Sequence, residues 1–353
     1  MLPSIKKELE LLCIGNVMVD VFAEVGDNEA TRCGLNEQVQ HIEMERLKGI
    51  LRTLEEAGTR LITTSGGGAA NVAKIAGYLG AKVAFTGATG SCFDHFAKVF
   101  ESGLISAGVK PKLAQKNLPT GICLMLRSGG ETRIAASPSA ALELTESDIS
   151  EEDIQRAKVV VIDGFMLGRL SLVRHILTLA ERFGTLAAID LASPAIAREH
   201  AEDMTCYARR YPLFLFMNEE EDASFREGLG LENKAEAPFP IWKDENFPII
   251  VVKLGPRGAL CYSGKNVYRS ETRAQTSVET TGAGDAFMAA FLTAWVRNKS
   301  LSECAAMGNS AAGIVLGAMG TKVDGKAQED LARLMPLTAK KRTVRGKPGQ
   351  PFQ

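Results

Sequence analysis

The residues best suited to chemistry lie in the segment TTGAGDAFMAAF, residues 280–291. Three small residues stand at its centre: Gly282, Ala283 and Gly284. The next residue, Asp285, opens a long apolar run. One interpretation is that Asp285 only caps a helix, because Asp is a preferred residue at helix N-termini. The other is that the amides of the small residues bind a phosphate and that Asp285 accepts a proton beside them.

A second glycine-rich element, SGGGAAN, ends at Asn71 and comes much earlier in the chain. It could be only a tight turn from a strand into a helix. Alternatively, the missing side chains at Gly67 and Gly68 let a polyhydroxyl ligand approach the backbone, with Asn71 offering a donor and an acceptor. Asp20, either a turn former or an acceptor of hydroxyl protons, could bind the same ligand.

Acidic residues open another predicted helix, in the segment MNEEE. Glu219 and Glu220 are explained by compensation of the helix dipole. Asn218 and Glu221 are three residues apart and therefore share one side of the helix. This pair could hold a hydrated magnesium ion beside nucleotide phosphates.

Short apolar runs alternate with helical patterns along the chain. These predicted strands and helices must position the residues described above. The runs are KVVVIDGF, TLAAIDLAS, LFLFMNEEE and PIIVVKLG, and the helical segments lie around 171–183, 195–209 and 219–228. This alternation predicts a mostly parallel sheet covered on both faces, with ligands beyond the carboxyl ends of its strands. A further run, LLCIGNVMV, predicts a buried first strand that ends near Asp20. The rule places on one rim Asp20, Asp163, Asp190, Asn218 and Gly255.

The predicted domains are a core and a small lid. The core comprises residues 1–20 and 65–335, and the lid comprises residues 21–64, where apolar residues recur at helical spacing. Further lid strands are expected near 120–137. Residues 336–353 form a basic tail, interpreted as a solvated chain end.

Composition excludes several classes of protein. With 353 residues and a net charge of -1, the chain is not built to bind nucleic acid. Its seven cysteines form no CxxC pair and its four histidines lack metal-ligand spacing, so we expect reduced thiols and no zinc site. No signal peptide or membrane span is expected, which predicts a cytoplasmic protein with no membrane partner. A P-loop and a GxGxxG fingerprint are both absent from the sequence.

Together, the GGGAAN element and the GAGD element resemble the two signatures of the ribokinase or PfkB-type carbohydrate kinases. The resemblance covers roughly residues 10–325. It implies a ribokinase-like three-layer α/β/α sandwich with a mostly parallel central sheet and a small lid. It also implies an ATP-dependent transferase that uses magnesium and phosphorylates a primary hydroxyl of a sugar or nucleoside.

The resemblance assigns roles to individual residues. It implies that Asp285 is the catalytic base and that the amides of residues 282–284 form an anion hole. Acceptor contacts are implied for Asn16, Asp20, Gly67, Gly68 and Asn71. Magnesium and phosphate contacts are implied for Asn218 and Glu221, with Glu221 acting on the ion indirectly. Nucleotide contacts are implied for Lys253, Gly255, Gly258 and Asn309.

Within the family, the chain is most similar to adenosine kinases, in GNVMVD and in the helical segment of residues 33–51. Three positions depart from the pattern. Met166 stands where an aromatic ring would stack on the base, and Gly68 replaces a serine or lysine. Glu279 replaces the usual Asp near a monovalent-cation site, which leaves activation by potassium open. A monomer and a homodimer are both compatible with the resemblance.

Two other functions remain as alternatives. A nicotinamide-dependent oxidoreductase could share a doubly wound sheet, but the sequence lacks its fingerprint. A non-catalytic relative could bind a metabolite with the same site, and a kinase assay separates it from an enzyme.

Overall fold

A computed structural model describes residues 6–35, 37–231, 249–272, 282–316, 323 and 325–335. The strands are β1 (Leu9–Ile14), β2 (Met18–Glu24), β3 (Val39–His41), β4 (Ile62–Gly66), β5 (Val83–Thr89), β6 (Lys110–Gln115), β7 (Gly121–Ser128), β8 (Glu131–Ser137), β9 (Ala157–Ile162), β10 (Leu186–Asp190), β11 (Leu213–Asn218), β12 (Ile249–Lys253), β13 (Ala259–Ser263) and β14 (Asn266–Ser270).

The helices are α1 (Asp27–Arg32), α2 (Met44–Glu56), α3 (Gly68–Tyr78), α4 (His95–Ser106), α5 (Glu151–Arg156), α6 (Leu170–Arg182), α7 (Pro194–Glu199), α8 (Ala201–Arg210), α9 (Glu219–Gly228), α10 (Ala283–Val296), α11 (Leu301–Leu316) and α12 (Gly325–Leu334). The predicted helix 195–209 is therefore two helices, α7 and α8, which meet at His200.

The larger sheet has nine strands in the order β14-β13-β12-β11-β10-β9-β1-β5-β6. Pairing is parallel from β6 to β12, and β13 and β14 add an antiparallel edge. Because β9, β10, β11 and β12 run in the same direction, their carboxyl ends lie on one edge of the sheet. That edge carries Asp163, Asp190, Asn218 and Lys253, at or just after the strand ends.

Helices cover both faces of this sheet. Alternate strand residues such as Cys13 and Phe85 pack with α3, α4, α10, α11 and α12 in one apolar cluster. Their neighbours Leu12 and Ile14 pack with residues of α5 to α9 in a second cluster. Side chains of a strand alternate between faces, so continuous apolar strands feed both layers. This three-layer arrangement and the mostly parallel sheet confirm the predicted fold class.

A second sheet of five strands has the order β3-β8-β7-β2-β4. Helices α1 and α2 pack against one of its faces, around Val21, Leu47 and Leu124. The prediction of one strand from Leu11 to near Asp20 is wrong. The chain leaves β1 at Gly15 and Asn16 and enters β2, so Asp20 lies within the smaller sheet and not at the rim of the larger one. A continuous apolar pattern cannot reveal this change of sheet, because both strands are buried.

The division of the chain into a core and a lid remains a prediction, as does the solvated tail, which lies outside the described residues. No helix in the described part of the chain is long and apolar enough to cross a membrane.

Candidate active site

Asp285 lies in the first turn of α10, but it is not the cap. The cap position belongs to Gly282, whose φ of 82° is in the left-handed region that favours glycine. The helix beyond Asp285 is buried from Ala286 to Ala294, so the carboxyl reaches open space only at the helix start. The first amides of a helix lack partners within it, and the helix dipole adds positive charge there. The structure thus places a carboxylate at a helix start whose free amides are suited to an anion.

The two glycine-rich elements meet in space. Asn71 of α3 donates a hydrogen bond from Nδ2 to Oδ2 of Asp285 over 2.9 Å, although the residues are 214 positions apart. The other amide atom, Asn71 Oδ1, is buried and has no hydrogen-bond partner among the described residues. An unpaired buried acceptor costs free energy, so this oxygen is suited to accept a ligand hydroxyl.

Gly68 separates two carboxylates. A methyl group at Gly68 would lie 3.8 Å from Oδ1 of both Asp163 and Asp285. The preceding glycines are more confined, because a methyl group at Gly66 would overlap the carboxyl of Asp20. Gly67 has a φ of 89°, and a methyl group there would lie 2.6 Å from the carbonyl oxygen of Asn16. The glycine element is therefore a turn that requires glycine at residues 66 and 67, and its backbone lies close to acidic side chains.

Burial is the largest influence on Asp285 and raises its pKa to about 7. The hydrogen bond from Asn71 opposes the rise, while the charges of Asp190 and Asp163 add to it. A carboxyl with a pKa near neutrality can gain and lose a proton at physiological pH. Asp163 itself is buried, which raises its pKa, and its Oδ1 accepts a hydrogen bond from the Phe165 amide at 3.0 Å.

Lys253 supplies positive charge to this group of acids. Its Nζ forms an ion pair of 2.5 Å with Oδ2 of Asp190, and a methyl group at Gly284 would lie 3.2 Å from the same nitrogen. Burial alone would lower the pKa of Lys253, but Asp190, Glu221 and Asp285 raise it overall. Lys253 is therefore a fixed cation next to the backbone of the α10 start.

Asn218 and Glu221 form a capping box at the start of α9. The Asn218 amide donates to Glu221 Oε2 at 2.7 Å, and the Glu221 amide donates to Asn218 Oδ1 at 2.8 Å. Burial and the charge of Asp190 raise the pKa of Glu221 to about 7. Among the described residues, no cluster of three or more acidic, cysteine or histidine side chains could enclose a metal ion. Carboxylate oxygens nevertheless suit a hydrated magnesium ion held through water, so the pair fits indirect binding.

Asn16 is held by an arginine that sequence reasoning did not single out. Arg169 donates from Nη2 to Asn16 Oδ1 at 2.6 Å and from Nη1 to the carbonyl of Ala141 at 2.9 Å. With its oxygen engaged, Asn16 presents its amide nitrogen as a donor.

The predicted nucleotide contacts at Gly258 and Asn309 converge on Ser270 at the end of β14. Asn309 Nδ2 donates to Ser270 Oγ at 3.1 Å, and a methyl group at Gly258 would overlap the Ser270 carbonyl oxygen. Gly255, with a φ of 55°, opens the turn between β12 and β13. These three residues shape the turn and the sheet edge after Lys253. Glu279 lies outside the described residues.

The smaller sheet presents two rows of side chains on the face opposite α1 and α2. Its strand register aligns the first row: His41, Ala136, Cys123, Asp20 and Thr64. Two residues away on each strand, the register aligns an apolar row: Val39, Ile134, Met125, Phe22 and Ile62. The apolar row is partly or largely exposed, with Val39 56% and Ile62 42% exposed. Side chains in register on one face lie side by side, so this row forms a continuous apolar strip beside Asp20.

Asp163 and Asp190 also belong to the site, although only the rim rule placed them there. Each follows or ends an apolar strand, which is a weak signal because many strands end in a polar residue. Lys74, a lone charge in the apolar helix NVAKIAGYLG, carried a clearer signal.

Known proteins resemble this chain in sequence. The profile of the pfkB family carbohydrate kinases matches residues 47–327. The bifunctional protein HldE of Shewanella putrefaciens is 26% identical over 262 residues, which cover 72% of this chain and 52% of that protein. A second HldE, from Vibrio atlanticus, has the same identity and coverage. The chain thus spans about half the length of these relatives.

Solved structures share the fold. Adenosine kinase from Sinorhizobium meliloti has a TM-score of 0.78 at 24% identity, and the match covers 92% of this chain and 99% of that one. A probable sugar kinase from Rhizobium etli has a TM-score of 0.77 at 23% identity, with 93% and 98% covered. The match to the family profile extends over most of the chain and includes both glycine elements. The chain therefore belongs to the pfkB family of carbohydrate kinases, which are phosphotransferases with an alcohol group as acceptor.

Proposed function

We propose that this kinase uses Asp285 as the catalytic base to phosphorylate a primary hydroxyl of a sugar or nucleoside with ATP. One observation carries the proposal: the hydrogen bond of 2.9 Å from Asn71 to Asp285, which joins the acceptor-type glycine element to the phosphate-type glycine element. A reaction between two bound substrates requires both binding elements at one carboxylate.

Asp285 would orient the acceptor hydroxyl and take its proton as the bond to the phosphoryl group forms. A general base works best when its pKa is near the working pH, and the pKa of about 7 meets this condition. Asn71 fixes the carboxyl through Oδ2, which leaves Oδ1 for the hydroxyl. The amides of residues 282–284 would stabilise charge on the transferred phosphoryl group.

The donor side lies at the carboxyl ends of β11 and β12. Lys253 would neutralise phosphate charge, and Asn218 with Glu221 would hold magnesium through water. Magnesium, when bound, shields phosphate charge during the transfer. Gly255, Gly258 and Asn309 would shape the nucleotide site at the neighbouring turn.

The acceptor side lies between the two sheets. Asp20, close to Gly66, would accept hydrogen bonds from two hydroxyls of the acceptor, and the free acceptor atom of Asn71 would take a third. Asn16, oriented by Arg169, would donate to the same molecule. Gly67 and Gly68 leave the backbone accessible beneath it.

The apolar row favours a nucleoside over a free sugar. A sugar alone would need only the first row, which contains Asp20, whereas the apolar row from Val39 to Ile62 suits a flat apolar ring attached to that sugar. Met166 is fully buried in the core and cannot stack on a ligand, but its neighbour Phe165 is 49% exposed and follows Asp163 closely. Phe165 can therefore take the place of the missing ring.

A coupled assay of ADP release tests this proposal. The panel would contain ribo- and deoxyribonucleosides, ribose, fructose, their monophosphates and 2-keto-3-deoxygluconate. We expect strong turnover with at least one nucleoside. Turnover only with a free sugar would overturn the nucleoside assignment, and binding of a panel member without any ADP release would favour a non-catalytic relative.

A further inference from the structure

Lys74 is a buried cation with no role in the mechanism above. It lies on α3, three residues after Asn71, and is only 8% exposed. Lysine is among the residues least often buried, because removing its charge from water is costly. A lysine placed in an otherwise apolar helix layer therefore calls for a specific interaction.

The ammonium reaches from α3 back to the end of β4. Lys74 Nζ donates to the Ser65 carbonyl oxygen and to Ser65 Oγ, the latter at 3.0 Å. Ser65 is itself confined, since a methyl group at Gly103 of α4 would overlap its hydroxyl. A methyl group on the next residue, Gly66, would overlap the Asp20 carboxyl, so this backbone lies directly beside it. Lys74 thus holds the end of β4, which lies beside Asp20, by hydrogen bonds.

The same ammonium lies close to Asp285. Asn71 and Lys74 share one side of α3 because residues three apart on a helix are neighbours. Lys74, Asn71 and Gly282 also line one cavity of about 180 Å³. Burial lowers the pKa of Lys74 to about 8, and the charges of Asp20 and Asp285 oppose that decrease. The lysine is therefore still mainly protonated at neutral pH.

We propose that Lys74 is a positioning residue for the kinase reaction: it fixes the glycine element through Ser65 and places a positive charge near Asp20 and Asp285. The charge stabilises the ionised form of Asp285. The hydrogen bonds to Ser65 fix the glycine turn that lies beneath the acceptor. This inference rests on the proposed role of Asp285, but its main test requires no acceptor.

The test is a pH titration of the Asp285 carboxyl by NMR in protein labelled with ¹³C at the aspartate γ position. The Asp285→Asn variant assigns the signal. Lys74→Gln removes the charge but retains a donor for Ser65, and we expect the titration midpoint of Asp285 to rise by on the order of one pH unit. Lys74→Arg keeps the charge, and the cavity leaves room for its longer side chain, so the midpoint should stay near that of the native protein.

Ser65→Ala is the matched control, because it removes one hydrogen bond and leaves the charge. We expect it to leave the midpoint unchanged while amide hydrogen exchange at residues 66–68 becomes faster. An identical midpoint in the native, Lys74→Gln and Lys74→Arg proteins would overturn the inference. If Lys74→Gln does not fold, Lys74→Met carries the same comparison. Lack of kinase turnover would count against the proposed function alone, since the titration is read without substrate.

Discussion

At the scale of residues, the site depends on how buried charges are balanced. Asp285, Asp190 and Glu221 all act on the charge of Lys253, which is paired with Asp190. Burial and mutual repulsion hold the pKa of both Asp285 and Glu221 at about 7. Active sites commonly contain such perturbed groups, because a base must exchange protons near its working pH.

Activity should therefore depend on pH through Asp285. We expect kcat/KM to rise as pH increases through about 7, because only the ionised carboxyl can accept a proton. Asn71→Ala removes the hydrogen bond that lowers this pKa, so the acidic limb should move to higher pH. A pH–rate profile of both proteins checks the direction, and a shift to lower pH would contradict it.

The Asp285→Asn variant should lose activity but should not lose thermal stability above pH 7. The pKa of this carboxyl rises from an ordinary value of 3.8 to about 7 on folding, so ionisation costs stability as pH increases between these values. Above pH 7 the asparagine variant should have an equal or higher Tm than the native protein. A clearly lower Tm at pH 8 would mean that helix-dipole stabilisation by Asp285 outweighs its burial cost.

At the scale of elements, the turn 66–68 and the α10 start must approach each other closely. Gly67→Ala forces a strained backbone and a clash with Asn16, and should cost about 1–3 kcal/mol of unfolding free energy. Gly68→Ala meets only ordinary contacts and should fold as well as the native protein. Its methyl group nevertheless lies between Asp163 and Asp285, so we expect a higher acceptor KM. Denaturant unfolding and kinetics of the two variants separate these effects.

The apolar row of the smaller sheet is a further element to test. Ile62→Ser should raise the KM for a nucleoside roughly tenfold, because it removes apolar contact from the acceptor. Thr63→Ser, one residue away on the opposite face, is the control and should change neither KM nor Tm. An unchanged KM in Ile62→Ser would show that this row does not contact the acceptor.

At the scale of the whole molecule, we expect a monomer. Helices α1 and α2 already cover one face of the smaller sheet, and the other face is assigned to the acceptor. Light scattering of the native chain should give a mass near 37.9 kDa. A dimer that dissociates in Ile62→Ser would instead assign the apolar row to a contact between copies.

Much of this molecule could be predicted from sequence, for identifiable reasons. The parallel sheet follows from apolar strands that alternate with helices, and the contact between Asn71 and Asp285 joins two glycine motifs that were informative only in combination. The sheet change after Gly15 could not be predicted, because both strands are apolar. Arg169 was missed because its partner, Asn16, becomes a neighbour only through the fold. Lys74 could have been noticed as a lone charge in an apolar helix, but its partner Ser65 could not.

The role of Asp285 can be tested most directly by the turnover of Asp285→Asn with ATP and the acceptor that the panel identifies. We expect kcat to fall by about 10²–10⁴-fold, while the Kd values for ATP and acceptor stay close to those of the native protein. Turnover within a few-fold of the native rate would contradict the assignment of Asp285 as the catalytic base.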